Sequence, residues 1–269
     1  MQADNVAFVG SIPENYDRYL GPTLFEPYAA DLVARVNVPA GSTVLELACG
    51  TGIVTRRLRE RLAGSTKLVA TDLNEAMLNY ASRKYKDGEN LEWRQADATE
   101  LPFSERSFDA VLCQFGLMFV PDKGQALREA HRVMKPGGKI VFNVWDAIEQ
   151  NDFARIAHET IAKFFDDNPP DFYQIPFSLH DRSAIESLLT DSGFKEIDFT
   201  LLPLESKAAS ARDLTRGLIH GNPIINSIRD RNEEMIPEIE AAVFEAVVAK
   251  FGDAPVRARM QALIFSAAR

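Results

Sequence analysis

The sequence predicts an α/β protein with a seven-stranded, mostly parallel sheet, helices on both faces, and a helical lid inserted between the last two strands. Three observations carry that expectation. Short apolar runs alternate with helix-length amphipathic segments through the first half of the chain. The connections between them are short, as in a parallel sheet covered on both faces. A helical stretch of about fifty residues then separates the two final apolar runs, too long for a hairpin turn.

The elements follow in order. A polar stretch carrying Tyr16 and Tyr19 leads into apolar residues at helical spacing over 24–36, closed by Pro39 and Gly41. Residues 43–48 are a short apolar run ending in Gly50-Thr51-Gly52, which reads as a buried strand entering a tight turn. A helix over 53–62, a strand over 67–71 that ends at Asp72, a helix over 75–85 and a strand over 91–95 follow. The fourth strand is 108–114, the next helix 124–134, and the fifth strand 138–145, reached through Pro136-Gly137-Gly138. Beyond these, 153–165 and 183–192 read as helices, 196–204 as a sixth strand and 256–267 as a seventh. The helical stretch 210–251, broken at Gly221-Asn222-Pro223 and Pro237, is the expected lid. The expected organisation is a helical cap at 1–40, a core of 41–207 plus 255–269, and a lid or substrate subdomain at 208–254.

Composition excludes several function classes. The chain has 269 residues, 46% hydrophobic and 26% charged, enough to bury a substantial core. Its net charge of -9 disfavours nucleic-acid partners, which need a basic surface. The run Arg56, Arg57, Arg59, Arg61 is interrupted by Glu60 and reads as a solvated helix face. Met1 to Ile12 lacks the features of an export signal and no stretch approaches membrane-spanning length, so a soluble, cytoplasmic protein is expected. The two cysteines, Cys49 and Cys113, form no metal-ligand spacing; reduced thiols and no metal are expected.

The chemistry concentrates at strand ends. Glu46-Leu-Ala-Cys-Gly50-Thr-Gly52 lies between a strand and a helix, where glycines let backbone approach a ligand closely in an open parallel sheet. Asp72, twenty residues after Gly52, can accept from both hydroxyls of a ribose. A dinucleotide site shares these features, but Gly50-Thr-Gly52-Ile-Val-Thr55 lacks the third glycine under a pyrophosphate. Glu46 would repel a pyrophosphate and suits a ligand with an ammonium and a sulfonium. Asp97, in Gln95-Ala-Asp97-Ala98, can accept from an exocyclic adenine amine.

Together these segments resemble the class I S-adenosylmethionine-dependent methyltransferases, in their ubiquinone/menaquinone-biosynthesis-like (methyltransferase type 11) branch, whose fold is Rossmann-like. The matching runs are Val44-Leu-Glu-Leu-Ala-Cys-Gly-Thr-Gly52, Val69-Ala-Thr-Asp-Leu73, Gln95-Ala-Asp-Ala-Thr-Glu-Leu-Pro-Phe103, Phe108-Asp-Ala-Val111 and Val133-Met-Lys-Pro-Gly-Gly-Lys139, in the family's order. The resemblance implies that Glu46, Ala48, Gly50 and Gly52 line the methionine moiety and that Asp72 holds the ribose, with Leu73 against the adenine. It places Asp97 and Ala98 at the adenine edge, and Gln114 near the methionine amino group or the transferable methyl. Ala48 stands where many members have glycine, a small-for-small change.

The implied reaction is methyl transfer from S-adenosylmethionine to a small molecule, leaving S-adenosylhomocysteine. The reagent is already activated, so alignment in a water-poor pocket is the main requirement. His220, in the break of the lid, and Tyr19 are the candidate catalytic side chains; His131, His158 and His180 are the other near-neutral bases. Phe164-Phe165 and Phe172-Tyr173 read as core aromatics, with pocket lining as the alternative. The rivals are a non-catalytic or regulatory cofactor-binding protein and a nicotinamide-dependent oxidoreductase. A homodimer is among the assemblies the sequence allows.

Overall fold

The computed structural model describes residues 7–86 and 88–269. The first six residues of the expected cap, within the stretch read for an export signal, lie outside the described residues.

Seven strands form one sheet in the order β3-β2-β1-β4-β5-β7-β6. They are β1 Thr43–Leu47, β2 Lys67–Asp72, β3 Leu91–Gln95, β4 Phe108–Gln114, β5 Met134–Trp145, β6 Lys195–Ala208 and β7 Val256–Ala268. The first five are parallel, and β7 runs antiparallel to β5 and β6. Burial on both faces explains why the central strands read as continuous apolar runs. Chain order reverses between β1 and β4, and the crevice beyond their carboxyl ends is where such sheets bind ligands.

The helices are α1 Ile12–Asn15, α2 Glu26–Ala34, α3 Ile53–Arg61, α4 Glu75–Ser82, α5 Lys123–Val133, α6 Asp152–Ala162, α7 Arg182–Asp191, α8 Ala211–His220, α9 Ile224–Asn232 and α10 Ile236–Phe251. The last three are the expected insertion, broken where the sequence places Gly221 and Pro223 and again just before Pro237. Ser210 starts α8, its hydroxyl accepting from the Asp213 N–H at 3.1 Å. In this insertion, α10 packs on α6 and α8, and α8 packs on the N-terminal segment.

Two elements differ from expectation. The fifth strand starts at Met134 because Pro136-Gly137-Gly138 is a bulge within it: pairing jumps from Phe108↔Met134 to Ala110↔Lys139. A Cβ at Gly138 would lie 2.9 Å from the Asp109 carbonyl, so only glycine fits there. At the N-terminus, the helix expected from 24 begins at Ile12, and Tyr16–Phe25 between α1 and α2 is a π-helix. Pro22 lies inside it and hides the helical path from a sequence reading. The i→i+5 winding has a consequence for facing. Nine residues are about two and a half turns of an α-helix but about two of the wider one. Tyr16 and Phe25 therefore share a face, their rings stacked at 4.6 Å.

Candidate active site

A cavity of about 350 Å³ opens at the β1–β4 switch point. The tips of β1, β2, β3 and β4 supply Ala48, Gly50, Asp72, Asp97 and Gln114, and the N-terminal segment supplies Phe8, Tyr16 and Phe25. Leu73 and Ala98 also line it. Seven of the nine residues expected to bind cofactor thus border one space.

The turn after β1 is built for close approach. Gly50 has φ +54°, and its N–H donates to Asp72 Oδ2 at 2.8 Å. The other carboxylate oxygen of Asp72 accepts from the Asn74 N–H at 2.8 Å. Asp72 is 7% exposed, and burial raises its pKa against these hydrogen bonds. Asp97 Oδ1 accepts from the Thr99 N–H and hydroxyl at 2.8 and 2.7 Å, so Asp97 both faces the cavity and closes its own turn.

Glu46 and Gly52 stand behind the wall. Glu46 is 2% exposed, with Oε2 accepting from the Thr55 hydroxyl at 2.6 Å. Burial pushes its carboxyl up to about 8, with Asp72 nearby adding to the rise and Thr55 opposing it. Gly52, at φ +83°, faces a second cleft shared with Asp17, Arg56 and Lys84, and its carbonyl accepts from the Tyr85 hydroxyl at 2.6 Å.

The opposite wall is aromatic. Phe115 stacks on Trp145 at 3.9 Å with rings 8° apart, and Phe119 and Phe172 extend this wall. Phe115 adopts φ +48°, held there by its N–H donating to the Asn143 side-chain oxygen at 3.0 Å. Gln114 Nε2 donates to the Phe25 carbonyl at 3.3 Å. Gln114 Oε1 and Asn143 Nδ2 are buried without a partner. No lysine, arginine or histidine is among the described lining residues.

Neither candidate catalytic side chain borders this cavity. Tyr19 turns toward α8, where its Cβ would lie 3.0 Å from a Cβ at Gly217; the wide helix brings Tyr16 to the cavity instead. Burial holds the Tyr16 hydroxyl far above its ordinary range, leaving it neutral. His220 Nε2 pairs with Glu240 Oε1, joining the end of α8 to α10. Among the other histidines, His131 packs edge-on against Phe194, and His180 contacts the Phe177 carbonyl at 2.7 Å. Phe172 lines the cavity, whereas Tyr173 is core, donating to the Leu218 carbonyl at 2.7 Å.

Phe8, Phe115, Trp145 and Asn143 escaped the sequence reading. A signal was available for two of them: Phe115 and Trp145 sit at the ends of strands 4 and 5, the kind of position that singled out Asp72 and Asp97. The arginines of α3 engage Glu89, Glu26 and backbone carbonyls, as a solvated helix face does. Cys49 and Cys113 are free and buried. No helix among the described residues is long and apolar enough to cross a membrane, and none of their His, Cys, Asp and Glu side chains cluster as a metal site.

Comparison with known proteins agrees with this geometry. Residues 45–142 match a methyltransferase domain family. A ubiquinone/menaquinone biosynthesis C-methyltransferase UbiE from Hahella chejuensis is 42% identical over 112 residues, 40% of this chain and 45% of that protein. A demethylmenaquinone methyltransferase from Staphylococcus epidermidis is 30% identical over 201 residues, 70% of this chain and 83% of that one. Among solved structures, Haemonchus contortus phosphoethanolamine N-methyltransferase 2 in complex with S-adenosyl-L-methionine aligns with TM-score 0.63 at 16% identity, over 99% of this chain and 58% of that chain. At that identity the likeness is one of fold.

Proposed function

This chain belongs to the S-adenosylmethionine-dependent methyltransferases of the ubiquinone/menaquinone type, and from that premise we propose that it methylates an uncharged, flat, apolar acceptor between the strand tips and the aromatic wall. The observation that carries the reading is the lining of the cavity: the carboxyls of Asp72 and Asp97 face it, Glu46 stands directly behind as a buried acid that a cation would ionise, and no basic side chain is among the described lining residues. Such a space suits a cationic cofactor and a neutral acceptor. It offers nothing to hold a pyrophosphate or a phosphorylated acceptor.

In the proposed arrangement, Asp72 takes the ribose and Leu73 covers the adenine, with Asp97 and Ala98 at the adenine edge. Ala48 and Gly50 face the methionine portion, and Glu46, ionised by the cation's arrival, supports it from behind. S-adenosylmethionine supplies an electrophilic methyl; the acceptor's nucleophilic atom bonds to that carbon as the carbon–sulfur bond breaks, its electron pair returning to sulfur. Gln114, whose Nε2 donates to the Phe25 carbonyl, has Oε1 available to accept from the cofactor's ammonium or an acceptor hydroxyl. Phe115, Trp145, Phe25 and Tyr16 orient the acceptor ring and exclude water. No histidine is among the described lining residues, so in this reading the acceptor is one that is nucleophilic without strong assistance.

The cap and the 208–254 insertion act as the lid in this reading, since Tyr16 and Phe25 come from the one and Asn222 from the other. The names of the two bacterial relatives support a quinol-like ring methylated on carbon. Two buried thiols fit a reducing, cytoplasmic setting, and the acidic balance argues against nucleic acid. The test is methyl transfer from radiolabelled cofactor to demethylmenaquinol and to phosphoethanolamine. Labelling of the first alone is expected; labelling of phosphoethanolamine would overturn the neutral-acceptor reading.

A further inference from the structure

The two halves of the cavity touch at one tight point. A Cβ placed on Gly116 would lie 2.4 Å from the Ala48 Cβ and 2.8 Å from Cys113 Sγ. The Ala48 methyl therefore already fills the space beside Gly116. Backbone conformation does not demand glycine here, because φ at 116 is -106°; the demand is for room. On the other side of the contact, Ala48 holds φ +50°, a left-handed conformation that costs an alanine about 1–2 kcal/mol. Phe115, the neighbour of Gly116, is left-handed too at φ +48°.

These residues join two separately tethered tips. The β1 tip is tied to β2 by the Cys49 N–H donating to the Thr71 carbonyl at 2.9 Å, and to Asp72 through Gly50. The β4 tip is tied to β5 by the Phe115 N–H, which donates to both the Asn143 carbonyl at 3.1 Å and its side-chain oxygen. The Ala48 methyl and Gly116 are where the two tips meet, with room for no side chain at 116.

We propose that the Ala48 methyl, seated against Gly116, couples the cofactor half of the cavity to the acceptor wall: filling the β1 side shifts the β4 tip and sets the stacking of Phe115 on Trp145. This rests on the cofactor reading above and makes Ala48 and Gly116 positioning residues. Linkage makes the effect reciprocal, so an acceptor against the wall changes cofactor affinity by the same factor as the cofactor changes the acceptor's.

The chain has two tryptophans, so a Trp93→Phe background leaves Trp145 as the sole indole reporter of the wall. Each variant is titrated to saturation with S-adenosylhomocysteine, calorimetry verifying occupancy, so that a change in affinity does not enter the readout. The Trp145 emission is expected to change on binding in the background protein. Ala48→Ser, which retains the Cβ, keeps that change, and Ala48→Gly, which removes it, loses it. A merely structural role would alter stability without separating serine from glycine in this signal. The coupling is overturned if emission stays constant while calorimetry shows binding, if Ala48→Gly keeps the change, or if Ala48→Ser loses it. Absence of calorimetric binding overturns the cofactor reading itself, and the coupling with it.

Discussion

Replacing Glu46 by glutamine should flatten the dependence of stability on pH. Burial raises the Glu46 carboxyl from its ordinary 4.5 to about 8. Between those values the unfolded chain has lost the proton that the folded chain still holds, so stability is fully present below pH 4.5 and declines as pH rises toward 8. At about 1.4 kcal/mol per pH unit, the full window is worth at most about 5 kcal/mol. For 269 residues that corresponds to up to about 9 °C in Tm. Glutamine keeps an oxygen for the Thr55 hydroxyl and removes the titration. Thermal unfolding of both proteins from pH 5 to 9 should show Tm curves that diverge with pH, the variant becoming the more stable. Parallel curves would refute the assignment of Glu46 as a buried acid protonated at neutral pH. A cationic cofactor should draw that proton off, so its affinity for the wild type should rise from pH 6 to 8; a flat profile would count against the proposed charge match.

Three further outcomes are expected. Asp72→Ala removes the carboxylate that orders Gly50 and Asn74 and would grip the ribose, so cofactor affinity should fall by about 1.5–3 kcal/mol in calorimetry; unchanged affinity would refute its role. Gly50→Val puts a branched side chain at φ +54°, into space with no protein atom within 4 Å of the Cβ, and should abolish cofactor binding while the far-ultraviolet circular dichroism stays native. His220→Ala should leave turnover within about threefold, because its imidazole engages Glu240 and borders no part of the cavity; a hundredfold loss in kcat would restore it as a catalytic candidate.

The parts of this molecule legible in the sequence are those fixed by local signals. The runs that became β1, β2 and β4 are apolar because both faces are covered, and Gly50, Asp72 and Asp97 stand at strand ends, where chain position alone predicts proximity to a ligand. Tyr19 was misplaced because helical facing depends on the winding, and the π-turns around Pro22 bring Tyr16 to the cavity instead. His220 reads as a substrate-facing base from its place in the Gly-Asn-Pro break, but its partner lies twenty residues on, in α10. The Phe115–Trp145 wall joins residues thirty apart through the β4–β5 pairing, and the space beside Gly116 is defined by Ala48, just past the end of β1. Such contacts leave no periodicity to read.

The pairing of β6 with β7 runs to Ala208↔Val256, so the chain leaves for α8–α10 and returns from them on adjacent strands, about 5 Å apart. The three helices join the sheet through that one pair of strands and rest on α6 and the N-terminal segment. A different set grafted there would reshape the side of the cavity bordered by Asn222 and the N-terminal segment, while Asp72 and Asp97 at β2 and β3 stand apart from the junction. The same scaffold could in this way be refitted for new acceptors by exchanging one cassette.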